Sequence, residues 1–271
     1  MMNIASIFSE RFPIIGMVHL KPLPGSPAYA GDLEKVIKSA IDDAIKLERG
    51  GVNGILVENL GDAPYFKDPS SPEMVASFTK ALVEIKRAIG LPLGVNVLRN
   101  GARAALAMAY VTGSKFIRVN VLIDAYLTDQ GIIEGNSAEL LRYKRSLGSN
   151  GIAIFADIRV KHAVPLAARS VSDSASDALE RGGADVLIVT GKRTGLPPSA
   201  EEIRELKASG PTLIGSGLDE KNLDALLPLA DGAIVGTHFK EGGRIGAAVS
   251  QEKVKRFMQM VEKLRIKYGT P

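Results

Sequence analysis

RGGVNGILVENLGDAPYFKDPSSPEMVASFTKALVEIKRAIG, residues 49–90, contains every part of the unit from which this chain is built. A glycine-rich turn, RGGVN, leads into the apolar, β-branched run NGILVEN, and a long polar loop, GDAPYFKDPSSP, follows it. The unit closes on PEMVASFTKALVEIKRAIG, where apolar residues return at helical spacing. Similar strand-like runs stand at 13–20 (PIIGMVHL), 91–98 (LPLGVNVL), 115–123 (KFIRVNVLI) and 152–158 (IAIFADI). They continue at 184–190 (ADVLIVT), 211–217 (PTLIGSG) and 231–237 (DGAIVGT). Eight strands alternating with eight helices, with no break in composition between the halves, predict a single α/β domain over residues 1–271, a closed (β/α)8 TIM barrel. An open doubly wound sheet is the alternative, but it rarely needs eight units this regular.

The connections point the same way. Turns from helix to strand are short: RGGVN, AIGLP, TGSK, RGGAD, ASGP and PLAD. Loops after the strands are long and polar: GDAPYFKDPSSP, DAYLTDQGIIEGNS, RVKHAVPLAARSVS and GKRTGLPPS. Tight turns leave no room to build a site, so the chemistry is expected at the carboxyl ends of the strands.

Composition narrows the function. Of 271 residues, 45% are hydrophobic and 24% charged, which is an ordinary globular balance with ample core. The net charge of +4 comes from 34 basic and 30 acidic residues dispersed along the chain, and aromatics are only 5%, so no basic, aromatic-interleaved face for nucleic acid is legible. A pI near 9.2 favours small anions. With 0 cysteines there are no disulfides, thiolate metal sites or cysteine nucleophiles. MMNIASIFSERFP does not read as a signal peptide, and no apolar run approaches the roughly 18 residues of a membrane span, so a cytoplasmic location is expected.

The sharpest local chemistry lies at the last two strands. IGSGLDEKN puts Gly215, Ser216 and Gly217 at the end of the seventh, with a helix expected to open at Asp219. IVGTHFKEGG puts Gly236 and Thr237 at the end of the eighth, followed by a short extra helix. Glycines let backbone N–H groups approach an anion, and in barrels this pair of loops is the usual phosphate cradle. One such cluster would serve equally as a tight turn; two at the expected strands point to a small phosphorylated ligand. FMN would satisfy the same cradle and stays open as a cofactor.

Other polar residues gather on the same rim. His19 and Lys21 end the first strand, as catalyst and anion ligand or as turn residues. Glu58 ends the second as general base, metal ligand or loop cap. Asn96, Arg118 and Asn120 alternate with apolar neighbours and should face the lumen, binding ligand or forming a structural network. Asp157, Lys161 and His162 follow one another at the fifth strand and could divide base, electrophile and acid roles; an Asp157–Lys161 surface salt bridge is the plainer reading. Thr190 and Lys192 could extend the anion site from the sixth strand. Histidines number only 3, none paired at ligand spacing, although Glu58, Asp157 and a histidine could hold a divalent metal across the mouth.

GMVHLKPLPGSP, GVNGILVENLGDAPY, LGVNVLRN, FIRVNV, FADIRVKHA, VTGKRTG, IGSGL and AIVGTHFK together resemble the BtpA/SgcQ family over essentially the whole chain. The resemblance implies a barrel grouped with the ribulose-phosphate-binding barrels. It also implies two directions for function, because the family takes its name from a photosystem I accumulation factor while other members resemble sugar-catabolism proteins. No residue roles carry over from it.

The residues themselves favour an enzyme acting on a sugar phosphate or nucleotide-derived phosphate by acid/base chemistry: isomerisation, epimerisation, or cleavage of a glycosidic or C–C bond. The alternatives are a non-catalytic assembly or regulatory factor that keeps a ligand pocket, and an FMN-binding barrel. Packing of exposed helix faces into a homo-oligomer is common for such barrels.

Overall fold

Eight parallel strands close into a barrel in this computed structural model, which describes residues 4–191 and 195–269. Along the chain run β1 (Ile14–His19), α1 (Leu33–Gly50), β2 (Gly54–Glu58), α2 (Pro72–Ala88), β3 (Leu93–Asn96), α3 (Ala102–Thr112) and β4 (Phe116–Val119). Next come β5 (Ala125–Thr128), β6 (Gly131–Glu134), α4 (Ser137–Ser146), β7 (Ala153–Ile158), β8 (Val164–Pro165) and α5 (Val171–Ser176). The chain ends with β9 (Val186–Val189), α6 (Ala200–Ser209), β10 (Thr212–Ile214), α7 (Leu223–Leu226), β11 (Gly232–Val235) and α8 (Gln251–Tyr268). The barrel order is β1-β11-β10-β9-β7-β4-β3-β2, and each of its strands lies inside one of the runs expected from sequence.

Alternation along the strands divides the core in two. Ile14 and Val18, Ile55 and Val57, Ile117 and Val119, and Ile154 and Ala156 point outward and pack against the helices. Ile15 and Met17, Leu56, Phe116, Phe155, Ile188, Leu213 and Ile234 fill the lower lumen, and Phe8, just after the N-terminal 3-10 turn Ile4–Ser6, joins them. Phe116 stacks on Phe155 at 4.5 Å, and Phe8 meets Phe116 edge-on at 6.0 Å. Gly94 on β3 makes room for this stack: a Cβ there would lie 2.1 Å from Phe116 Cε2. Helix ends follow the turn chemistry, since Gly51 (φ 95°) and Gly113 (φ 67°) cap α1 and α3 in the left-handed conformation.

Two expectations need correction. The stretches after β4 and β7, expected as loops, form a three-stranded antiparallel sheet in the order β6-β5-β8. Its inner face buries Tyr126 and Ile133 against Val121 and Val160 over the barrel rim. The seventh helix opens at Leu223 rather than Asp219, because Asp219 spends its Oδ1 on the N–H groups of Lys221 and Asn222. A connecting turn therefore precedes that helix. The short extra helix after the eighth barrel strand exists as a 3-10 turn, Thr237–Phe239.

That turn is tied to the outer layer by a buried ion pair. Lys240 Nζ donates to Asp43 Oδ2 of α1 at 2.8 Å, and Val249 N donates to Asp43 Oδ1 at 2.7 Å. Lys240 is 1% exposed and Asp43 5%, so removing one partner strands a charge in the core. Lys240→Met should lower unfolding free energy by about 3–5 kcal/mol, read by urea denaturation, while Lys240→Met combined with Asp43→Leu should recover much of it.

Candidate functional site

The alternation that fills the lower lumen with apolar groups turns ionic at the top of the strands. His19 follows Ile15 and Met17 on the inner face of β1, and Glu58 follows Leu56 on β2. His19 pairs in register with Glu58, Glu58 with Asn96, and Asn96 with Arg118. One layer of polar residues thus runs across four neighbouring strands. Above it lies an open cavity of about 430 Å³ at the carboxyl end of the barrel.

Its floor is a fixed ionic network. Arg118 donates from Nε to Asp157 Oδ1 (2.9 Å) and from Nη2 to Asp157 Oδ2 (3.0 Å), and Asn120 Nδ2 donates to the same Oδ2 at 2.8 Å. Asn96 Nδ2 braces the group through Arg118 O (3.1 Å) and Asn120 Oδ1 (3.3 Å). All four residues are buried. The bidentate pair replaces the Asp157–Lys161 surface bridge, which does not form, because Asp157 has turned inward. It also leaves Asp157 poorly placed as a base.

Groups above this floor have shifted protonation. Burial raises the Glu58 carboxyl above its ordinary range, against the opposing pull of Arg118 and Lys161. Burial, with the Arg118 charge next in importance, lowers Lys161 to about 8. Burial and then Lys240 bring His19 to about 3, so it stays neutral at physiological pH. Its Nε2 lies 3.9 Å from Glu58 Oε1, and its buried Nδ1 makes no hydrogen bond of normal geometry; the nearby Ile245 backbone offsets the shift only in part. Tyr65 also borders the cavity, raised to about 12 by burial and then by Glu58.

The opposite wall is backbone. Ser216, Gly217 and Leu218 after β10, and Gly236 and Thr237 after β11, border the cavity with Gly215 beneath. The glycines there also answer to packing. A Cβ on Gly215 would lie 2.4 Å from Ile188 Cγ2, and one on Gly217 (φ +73°) 2.1 Å from Pro197 N. Gly236 is the freest of the three, with His19 Cε1 at 3.2 Å from an added Cβ.

The cavity therefore brings together His19, Glu58, Arg118, Asn120, Asp157, Lys161, His162, Gly215, Ser216, Gly217, Gly236 and Thr237. It does not take in Lys21, which is exposed because the chain leaves the barrel at Leu20. Asn96 belongs to the floor network without lining the cavity, and Thr190 is turned to Arg159 O (3.3 Å) rather than to the cavity. Lys192 lies outside the described residues. Sequence reading missed Arg99, Tyr65, Ile245 and Lys253, all on the cavity wall. Arg99 stands within the quoted LGVNVLRN motif and Tyr65 at the end of GVNGILVENLGDAPY, and those motifs were the available signals. Among the described residues no group of three His, Asp or Glu side chains is set to hold a metal ion. The metal reading built on Glu58, Asp157 and a histidine meets a physical obstacle as well, since both Asp157 oxygens are engaged.

Comparison with known proteins adds lineage. The BtpA family model matches residues 10–263. A Synechocystis protein described as Photosystem I biogenesis protein BtpA is 44% identical over 270 residues, covering 98% of this chain and 94% of that protein. An uncharacterised protein of Pyrococcus furiosus is 47% identical over 259 residues, covering 95% and 97% respectively. Among solved structures, phosphoribosyl anthranilate isomerase from Thermus thermophilus superposes with a TM-score of 0.57 at 15% identity, covering 94% of this chain and all of that one. Orotidine 5'-monophosphate decarboxylase from Methanocaldococcus jannaschii gives 0.51 at 14% identity, covering 93% of this chain. Identities this low show the fold alone.

The shifted lysine is directly measurable. In an NMR titration of 13C-lysine-labelled protein, one resonance, absent from Lys161→Arg, should lose its proton near pH 8, against about 10.4 for the exposed lysines. The neutral amine fraction then rises with pH through that value.

Proposed function

This chain belongs to the BtpA family, and from that premise we propose that it is an enzyme moving protons on a small phosphorylated metabolite. One observation carries the reading: Glu58 and Lys161, shifted in opposite directions by burial, share a cavity with the glycine loops after β10 and β11. A carboxyl that gives up its proton less readily than usual and an amine that gives one up more readily are suited to the acid and base roles of carbonyl isomerisation or epimerisation.

The roles follow from position. A phosphate on the backbone between Ser216 and Leu218 and at Gly236–Thr237 leaves the rest of the ligand over the Arg118–Asp157 floor. Lys161 takes the proton next to the carbonyl as the neutral amine, and Glu58 returns one. His19 is neutral and hydrogen-bonds the carbonyl oxygen, polarising it without cycling through an imidazolium. Asp157 serves as anchor for Arg118, whose charge helps lower the Lys161 amine. The phosphate-handling names of the solved barrels with this fold, an isomerase and a decarboxylase, agree with the class of ligand. The charged floor suits a polar metabolite better than a flavin ring. A second reading, a ligand sensor or assembly factor, rests on the name of the Synechocystis relative.

Thermal shift and solvent exchange separate the readings. Millimolar ribose 5-phosphate or a related sugar phosphate should raise Tm, since ligand at about 100 times Kd adds about 2.7 kcal/mol. Gly236→Asp, which sets a carboxylate in the cradle, should abolish the rise. No rise with any phosphorylated compound in the unaltered protein overturns the reading. Deuterium from the solvent should enter a bound substrate in the unaltered protein, and Glu58→Gln should slow turnover by about 10²–10⁴ while still binding. Binding without exchange in either protein favours the sensor.

A further inference from the structure

The cavity has a second feature that draws anions, and the chemistry above leaves it unused. In the barrel order β3 lies four places from β10, directly across the ring. Arg99 stands just beyond β3, so its loop faces the glycine loop after β10 over the cavity. The backbone around it is held on both sides. Leu98 N donates to Asn59 Oδ1 at 2.7 Å, Arg99 N to Phe66 O at 3.3 Å, and Gly101 N to Val97 O at 2.9 Å.

The Arg99 side chain is 8% exposed and lines the cavity, and its Nη2 donates to Lys161 O at 2.5 Å. Among the described residues no carboxylate comes within ion-pair distance of its guanidinium. The acids that act on it from farther off are Asp157, Asp129 and Glu58. Asp157 is spent on Arg118, and Glu58 is biased toward its neutral form. A buried guanidinium whose one hydrogen-bonding partner among the described residues is a carbonyl retains most of its desolvation cost, and an anionic ligand would offset it.

We propose that the ligand carries a second anionic group, a carboxylate, which docks on Arg99 across the cavity from the phosphate. The substrate class is then a phosphorylated carboxylic acid, in keeping with the planar fork of guanidinium, which matches a carboxylate in two hydrogen bonds. This inference rests on the phosphate reading of the preceding subsection for the other end of the ligand. A carboxylate at Arg99 also places the carbons between the two anions over Glu58 and Lys161.

The test is a calorimetric comparison of matched ligands of two to four carbons: 2-phosphoglycolate, 3-phosphoglycerate and 4-phosphoerythronate against the corresponding phosphorylated alcohols, with glycerate, malonate and a bisphosphate as further arms. The best phosphocarboxylate should bind at least about tenfold tighter than its alcohol, the gain of one charge-assisted contact. Arg99→Met should erase that preference and leave the alcohol within about twofold of its original affinity. Arg99→Lys, which keeps the charge and loses the fork, should restore part of the preference and serves should the methionine variant not fold. Equal affinity of acids and alcohols, an equal loss of both in the variants, or a preference for the bisphosphate overturns the carboxylate proposal and leaves the phosphate reading intact. Arg99-dependent binding of malonate with silence from every phosphorylated compound sinks the phosphate reading and supports Arg99. Silence from all arms overturns both.

Discussion

The Arg118–Asp157 pair is the interaction on which the site depends. It joins β4 to β7 through two hydrogen bonds at the top of an apolar lumen, where neither charge could stand alone. Asn120 adds a third hydrogen bond to Asp157, and Asn96 ties the Arg118 backbone to the Asn120 side chain, so the floor is braced as well as charged. The pair also sets the protonation of its neighbours. Arg118 helps to lower Lys161 and pulls against the burial that raises Glu58. A floor of hydrocarbon would take away the Arg118 share of the lowering at Lys161 and one of the charges that oppose the rise of Glu58.

Beneath the network the lumen is closed by rings. Phe116 occupies the volume that Gly94 vacates and packs on Phe8 and Phe155, so the lower barrel is filled by side chains and the open end lies above. On the outside, Asp43 of α1 holds Lys240, and Lys253 Nζ, from the cavity wall, reaches Lys240 O at 2.9 Å. The loop that carries Gly236 is thereby attached to two helices rather than left free. Rigidity on both sides of the cavity matters because acid/base chemistry depends on small distances.

Much of this was legible beforehand, for identifiable reasons. Strand alternation put Asn96, Arg118 and Asn120 inward, and the strand ends put Glu58 and Asp157 at the rim, but nothing local said that Asp157 would turn to Arg118. Lys21 failed the same logic: parity places it on the face of His19, but the chain has already turned away, with Leu20 O accepting from Gly61 N. The β5–β6 hairpin was missed although Ala125–Thr128 and Gly131–Glu134 alternate about a two-residue turn. Short strands outside the barrel rhythm have no periodic neighbours to reveal them. Arg99, Tyr65 and Ile245 escaped because loop residues have no period at all; their direction is set by partners remote in sequence, such as Asn59 for the Leu98 backbone.

Periodicity in the chain was enough for the barrel, the rim on which a site could lie, and the lumen-facing Asn96, Arg118 and Asn120. Each of these depends on a periodic pattern of burial that local composition records. The tertiary structure alone decided who pairs with whom. It gave Asp157 to Arg118 instead of Lys161, left Arg99 buried with no carboxylate at ion-pair distance among the described residues, and shifted Glu58 and Lys161 in opposite directions. Those outcomes depend on distance and desolvation between strands far apart in the chain, and neither quantity is written in the order of residues.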